Sequence, residues 1–289
     1  MYKYIAFLKV VETGSFTKAA DIVGCTQPAL SQMISSLENE LSVQLLHRSR
    51  YGIKLTLDGE KLFPFIKDCV EHYKLMRRTC DEICGLETGL VRIGTVSSVS
   101  CHWLPEIIKL FWEKYPKVQL VLHQGDYSSI AEWVKNGSVD FGFVNPAAVS
   151  GMESKIVKTG EFCAVVPKNY PLSKKKSVTL NDLKNEPFLL LEEGAYSEIL
   201  EAFRFEGISP DIKLRVHDDY SILSMVEKEL GISILTKLVL NKTCYDVVSV
   251  PIEPPVRRTL AVVFKNYNLL PIAAKTFIDF IMERKSELL

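Results

Sequence analysis

No stretch of this 289-residue chain approaches the roughly 20 uninterrupted apolar residues of a membrane-spanning helix. Its opening, MYKYIAFLKVVETG, is broken by Lys3, Lys9 and Glu12, so it does not read as a signal peptide. There is no charge excess: 35 cations face 35 anions, so no global field advertises nucleic acid and any such binding has to be local. The seven cysteines (25, 69, 80, 84, 101, 163, 244) form no CxxC pair, and an odd number cannot all pair within one chain. Reduced thiols in a cytoplasm are therefore expected. Histidines 47, 72, 102, 123 and 217 show no HxxxH or comparable spacing, which gives a metal site no support. A GxSxG elbow and a glycine-rich phosphate loop are also missing, so no catalytic residue is assigned and no cofactor is expected. With 47% hydrophobic and 24% charged residues, the composition fits a soluble globular protein of two or three compact units.

The stretch from Gly14 to Thr56 is the most informative one present. A short helix over Thr17–Val23 follows the hydroxyls of Ser15 and Thr17, and its Ala19, Ala20, Ile22 and Val23 let a neighbouring helix come close. Gly24-Cys25-Thr26 stops it, and a second helix begins near Gln27-Pro28, where proline suits a first turn. Leu30, Ile34, Leu37 and Leu41 make its inner face. Thr26, Gln27, Ser31, Gln32, Ser35 and Asn39 make the other, as base reading in a major groove requires; a merely solvated polar face would look the same. The following segment, Ser42 to Thr56, carries His47, Arg48, Arg50 and Lys54 and no acid. Val43, Leu45 and Leu46 lead in, Tyr51-Gly52 turns, and Ile53 and Leu55 return, which predicts a two-stranded basic wing able to hold phosphates. Ahead of it, Tyr4, Ile5, Leu8 and Val11 predict a helix packed on the pair.

GSFTKAA, TQPALSQMISSLE, LHRSRYGIKLT and the following DGE together resemble the winged helix-turn-helix signature of LysR-type transcriptional regulators. The resemblance implies contact with double-stranded promoter DNA through Thr26, Gln27, Pro28, Ser31, Gln32, Ser35, Arg48, Arg50 and Lys54. Ser42 stands where that family favours glycine, a left-handed position that should cost serine up to ~1 kcal/mol. Gln32, Ser35 and Ser36 stand where it often has basic residues, which predicts a shallower salt dependence of DNA binding.

Residues 58–86 predict a linker helix. Leu62, Ile66, Cys69, Tyr73, Met76, Cys80 and Ile83 step by four and three, a seam of about three heptads that suits a partner helix or, equally in form, the protein's own surface. The resemblance favours the partner, and so a homodimer or homotetramer. Pro64 predicts a kink or a late helix start. Cys80 and Cys84 read as packing residues of the seam.

From Leu90 strands and helices alternate, so the fold expected is an N-terminal winged helix-turn-helix (1–57) and linker helix (58–86), then a C-terminal α/β two-subdomain sensor of periplasmic-binding-protein type. Its first subdomain is 87–160 with 266–289 and its second 161–265, joined by crossings near Gly160 and Lys265. Such a clam holds a cleft at its strand ends. Ser97, Ser98 and Ser100, before the helix at Leu104, suit an anion, and the resemblance places an effector pocket there. Asn145 and Thr236 face the same cleft in this layout, with Glu193 and Tyr196 as weaker candidates. The function expected is a cytoplasmic, non-enzymatic DNA-binding regulator controlled by a small-molecule, anionic effector, with RNA polymerase as a further contact and no membrane partner. Alternatives from other classes are a solute-binding-protein-like ligand carrier, an effector-independent regulator, and an enzyme using Ser, Cys and His in the cleft.

Overall fold

The structure is a computed structural model; it describes residues 1–49, 52–83, 89–241 and 243–288, with 48, 49, 52 and 77–83 described by backbone alone. Two compact units result, Met1–Asp81 and Glu82–Leu289.

In the first unit, α1 (Tyr2–Thr13), α2 (Phe16–Val23) and α3 (Gln27–Leu41) precede the hairpin of β1 (Leu46–Ser49) and β2 (Gly52–Leu55), and α4 (Leu57–Ile83) follows. Ser15 caps α2 by accepting from the Lys18 amide, and Thr26 caps α3 by accepting from that of Ala29. Ser42 ends α3 at φ 53°, so a serine does take the left-handed position. The α1 stripe differs from the expected one. Ala6, Phe7 and Val10 are fully buried, while Tyr4, Leu8 and Val11 only border the core, because small Ala6 allows close approach and Phe7 offers more apolar surface. Leu30, Ile34 and Leu37 bury α3 as its periodicity requires, with Leu41 at the rim. Pro64 produces no late start, since α4 begins at Leu57; proline removes only one donor, and Pro64 lies exposed, where water can serve the orphaned carbonyl. Ile66 and Val70 of α4 turn inward, and Phe63 meets Phe7 edge-on with ring centres 6.4 Å apart. Cys69 and Met76 of the heptad seam are exposed, and Phe65 beside it is 71% exposed. The side chain of Cys80, that of Ile83 and the whole of Cys84 lie outside the described residues.

In the second unit, β3 (Leu90–Thr95), α5 (Ser97–His102), α6 (Leu104–Lys114), β4 (Gln119–Gln124), α7 (Tyr127–Asn136) and β5 (Phe141–Val144) build one lobe. The chain leaves it on β6 (Glu153–Pro167) and builds the other lobe with α8 (Leu180–Leu183), β7 (Phe188–Leu191), α9 (Glu198–Phe205), β8 (Ile212–Val216), α10 (Asp219–Glu227), β9 (Ser233–Thr236) and β10 (Val247–Pro251). It returns on β11 (Arg257–Phe264) and closes with α11 (Ile272–Glu283). The main sheet runs β10-β6-β11-β5-β3-β4, with β9 also on β6 and β7-β8 as a separate pair. Gly142 makes room for α7, since a Cβ there would lie 2.3 Å from Ile130.

β6 is 15 residues long and, with antiparallel β11, serves both lobes. Val262, Val263 and Phe264 pack in the first core around Phe111, Phe141 and Phe277, whereas Phe162, Ala164 and Val166 pack in the second with Phe188 and Phe203. The return crossing expected near Lys265 therefore falls near Arg258, because the antiparallel pairing, which shifts register between Leu260 and Ala261, places Arg258 opposite Gly160. Two further elements were not anticipated: residues 97–102 form a helix of their own ahead of the one at Leu104, and β10 is a strand that alternation did not reveal.

Candidate functional site

On the first unit, Thr26, Gln27, Pro28, Gln32 and Ser35 are exposed along the outer face of α3, with Ser31 half-buried among them. The hydroxyl of Thr26 is already engaged as the helix cap. Beside this face stands the hairpin, in register Leu46↔Leu55, His47↔Lys54 and Arg48↔Ile53. Alternation buries Leu46 and turns His47 and Lys54 outward together. The Arg48 side chain and the whole of Arg50 lie outside the described residues. Two links that the sequence did not suggest fix the hairpin to α3: a Glu38 carboxylate oxygen accepts from the Leu45 and Leu46 amides at 2.8 and 3.1 Å. Thr56 closes the base of the hairpin by donating to the Gln44 carbonyl at 2.6 Å and ties it to α4 by accepting from the Gly59 amide at 2.9 Å. Gly59 is demanded here, since a Cβ would sit 2.2 Å from the Leu45 carbonyl oxygen. A polar helix face and a cation-bearing ribbon held rigidly side by side can read base edges and grip phosphates at once.

In the second unit the two lobes meet on Arg258, which is 4% exposed. Its guanidinium donates through Nε to the Tyr127 hydroxyl at 2.6 Å, through Nη1 to Ser98 Oγ at 3.1 Å and through Nη2 to Glu193 Oε1 at 2.7 Å. Tyr127 donates in turn to Glu198 Oε1 at 3.1 Å, and Asn145 Nδ2 donates to the same oxygen at 2.7 Å. Ser97 Oγ donates to Asp219 Oδ2. Ser97, Ser98, Tyr127 and Asn145 come from the first lobe; Glu193, Glu198 and Asp219 come from loop ends and helix starts of the second. Tyr220 adds another inter-lobe contact, its hydroxyl 3.2 Å from His102 Nε2.

Three buried carboxylates thus surround one guanidinium. Burial pushes the Glu193 carboxyl up to about 7 against the pull of Arg258, with Glu198 and Asp219 adding repulsion. Burial also raises Asp219, opposed by its bond from Ser97 and by Arg258. Burial works against the charge on Arg258, yet the surrounding Glu193, Tyr127, Glu198 and Asp219 hold it firmly protonated. Burial carries the Tyr127 hydroxyl well above its ordinary range. The chemistry of this cluster is that of an ionic clasp.

The expected effector residues separate under this geometry. Ser98, Asn145 and Glu193 belong to the cluster, and Ser97 faces it through Asp219. The anion seat at the start of the serine segment is taken by the chain's own Asp219. Ser100 does not join, because as part of α5 its hydroxyl turns back to the carbonyls of Val96 and Ser97 at 3.3 and 3.0 Å. Tyr196 is half-buried and shares a second cavity of about 480 Å³ with Asn145 and Glu198. Thr236 lies elsewhere, buried at the edge of a cavity of about 620 Å³ with Trp103, Lys158, Leu238 and Leu260. Arg258, Tyr127, Glu198 and Asp219 were not singled out from the sequence. The only signal was an arginine at the head of the apolar run LAVVF and a doubled aspartate before the helix at Tyr220.

Comparison with known proteins covers both units. Residues 3–60 match the family model described as "Bacterial regulatory helix-turn-helix protein, lysR family", and residues 85–286 match "LysR substrate binding domain". The HTH-type transcriptional regulator YvbU of Bacillus subtilis is 32% identical over 280 residues, spanning 96% of each chain. The transcriptional dual regulator GltC of the same organism is 32% identical over 289 residues, 98% of this chain and 96% of that one. Among solved structures, full-length CbnR complexed with its target DNA aligns over 98% of both chains at 21% identity with a TM-score of 0.69, a likeness of fold.

Proposed function

We propose, since this chain belongs to the LysR family of bacterial transcriptional regulators, that its α3 face reads a promoter site through Gln27, Ser31, Gln32 and Ser35 while the hairpin, with Lys54, Arg48 and Arg50, holds the flanking phosphates. The regulator class and its effector-binding unit follow from the family; the residue roles are our assignment. The supporting observation is the exposed polar row on α3 locked to a basic hairpin by Glu38. CbnR, which shares the fold, has been solved in complex with its target DNA, and that accords with this reading. Thr26 and Pro28 set the helix start against the duplex, the one by its cap and the other by its fixed φ.

The exposed side of α4 then pairs two chains, giving two readers for a two-fold site, and the dimer is the unit from which a tetramer is built. The lobes clasped by Arg258 form the effector-responsive part, and a ligand that favours one clasp geometry over another biases how the readers are presented. Such a protein works beside the chromosome, hence in the cytoplasm, with RNA polymerase as a neighbour, and performs no catalysis.

The test is binding of the full chain to DNA from upstream of its own gene against a scrambled duplex at fixed moderate salt. Gln32→Ala should lose about 1–3 kcal/mol on the specific duplex and little on the scrambled one. Equal affinity of the parent protein for both duplexes would sink the assignment.

A further inference from the structure

We infer that the cavity of about 620 Å³ bordered by Trp103, Lys158, Thr236, Leu238 and Leu260 is a binding site for a small monocarboxylate with an apolar body. This rests on the reading of the second unit as effector-binding and names its ligand class and seat. The seat differs from the one the serines suggested, which Asp219 already fills.

Four observations converge. The size lies in the range of small-molecule sites, roughly 300–1,000 Å³. The body of the lining is apolar, from Trp103, Leu238, Leu240, Pro251 and Leu260. The charged lining is Lys158, Lys237, Arg258 and Glu161, with Arg258 already paired to Glu193 from its other side. Glu161 is itself bound by Lys237. Lys158 donates to the Leu288 carbonyl, a neutral group. Finally, Thr236 is 7% exposed and its Oγ1, on the cavity wall, finds no hydrogen-bond partner among the described residues. A buried hydroxyl without a partner is costly, and a ligand acceptor would satisfy it. A carboxylate meets the hydroxyl and the ammonium together, while the apolar body covers the Trp103 and Leu260 side; a cationic ligand would face the Lys158 ammonium as a like charge.

Position gives the site a consequence. Arg258 borders the cavity and also holds Ser98, Tyr127 and Glu193 of the inter-lobe clasp. A carboxylate entering beside it competes with Glu193 for the same guanidinium, so occupancy is coupled to the contact between lobes.

The experiment titrates phenylacetate and 4-methylpentanoate into the full-length protein, with phenylacetamide as the uncharged match, read by calorimetry and by tryptophan fluorescence. Both acids should bind saturably, and the amide about tenfold more weakly than phenylacetate. Thr236→Val should weaken acid binding about tenfold yet raise the thermal midpoint of the ligand-free protein, because it deletes the unsatisfied hydroxyl. Lys158→Gln should weaken the acids and leave the amide unchanged. Failure of both acids to saturate by about 20 mM, or parent-like acid binding by both variants, overturns the proposal. Specific DNA binding without acid binding removes only the cavity assignment; acid binding without specific DNA binding removes only the reading of α3.

Discussion

Arg258 shows how one residue can set the electrostatics of a whole interface. A guanidinium that serves Tyr127, Ser98 and Glu193 in a buried space does not offset the burial of the acids around it, so Glu193 and Asp219 hold their protons more tightly than free carboxyls do. Glu193, lifted from 4.5 to about 7, keeps in the folded chain a proton that the unfolded chain has released. Its contribution to stability is therefore complete below about pH 4.5 and lost as pH rises through about 7, a span of about 3 kcal/mol at most. Asp219, shifted in the same direction, adds to that slope. Urea midpoints between pH 5 and pH 8 should fall with rising pH, and Glu193→Gln should flatten the curve while its amide oxygen still accepts from Arg258. Fluorescence isolates the event, because all three tryptophans, 103, 112 and 133, lie in the second unit. Replacing Arg258 by Met should cost about 3–5 kcal/mol by the same readout, since it strands buried carboxylates.

Elements differ in how openly the sequence declares them. α3 was legible because its inner residues recur with helical period, and the hairpin because a turn separates two alternating runs. α5 was hidden: SSVSCH has no apolar stripe and is rich in serine, so local composition reads as loop while packing of Val99 and Ser98 decides for helix. β10 was hidden because it is a five-residue edge strand preceded by a polar loop, stabilised by pairing with β6 that no local pattern records. The inter-lobe cluster was hidden for a stronger reason, as Arg258 meets partners 65, 131 and 160 positions away. Only the capping and turn chemistry of the lobe ends hinted at Ser98, Asn145 and Glu193. The end of α3 gives a prediction at this scale. Ser42 sits at φ 53° in the place where its side chain is a burden, so Ser42→Gly should stabilise the first unit by up to about 1 kcal/mol. Slower hydrogen exchange of the α3 amides would register it; unchanged or faster exchange would show that serine bears no strain there.

At the scale of the molecule, a balanced charge of 35 cations and 35 anions means that DNA affinity must come from placement and from number of readers rather than from a global field. α4 supplies the means to double the readers. Ile66 and Val70 already face their own unit, but Phe65 and Met76 leave large apolar surface in water, and Cys69 lies exposed between them. Spacings of four and seven residues put these three on one face of the helix, so a second copy of the helix would cover them in one seam. Met76→Glu places a charge in that seam at a position more than half exposed within one chain, so folding of either unit has no reason to suffer. Light scattering should then give a monomer, tryptophan fluorescence should stay as in the parent, and affinity for a two-fold DNA site should fall far more than affinity for a single half-site, because only the paired form engages both halves from one encounter. A variant that stayed dimeric would move the pairing surface off α4, and one that lost half-site binding equally would mean that the charge had damaged the reader itself.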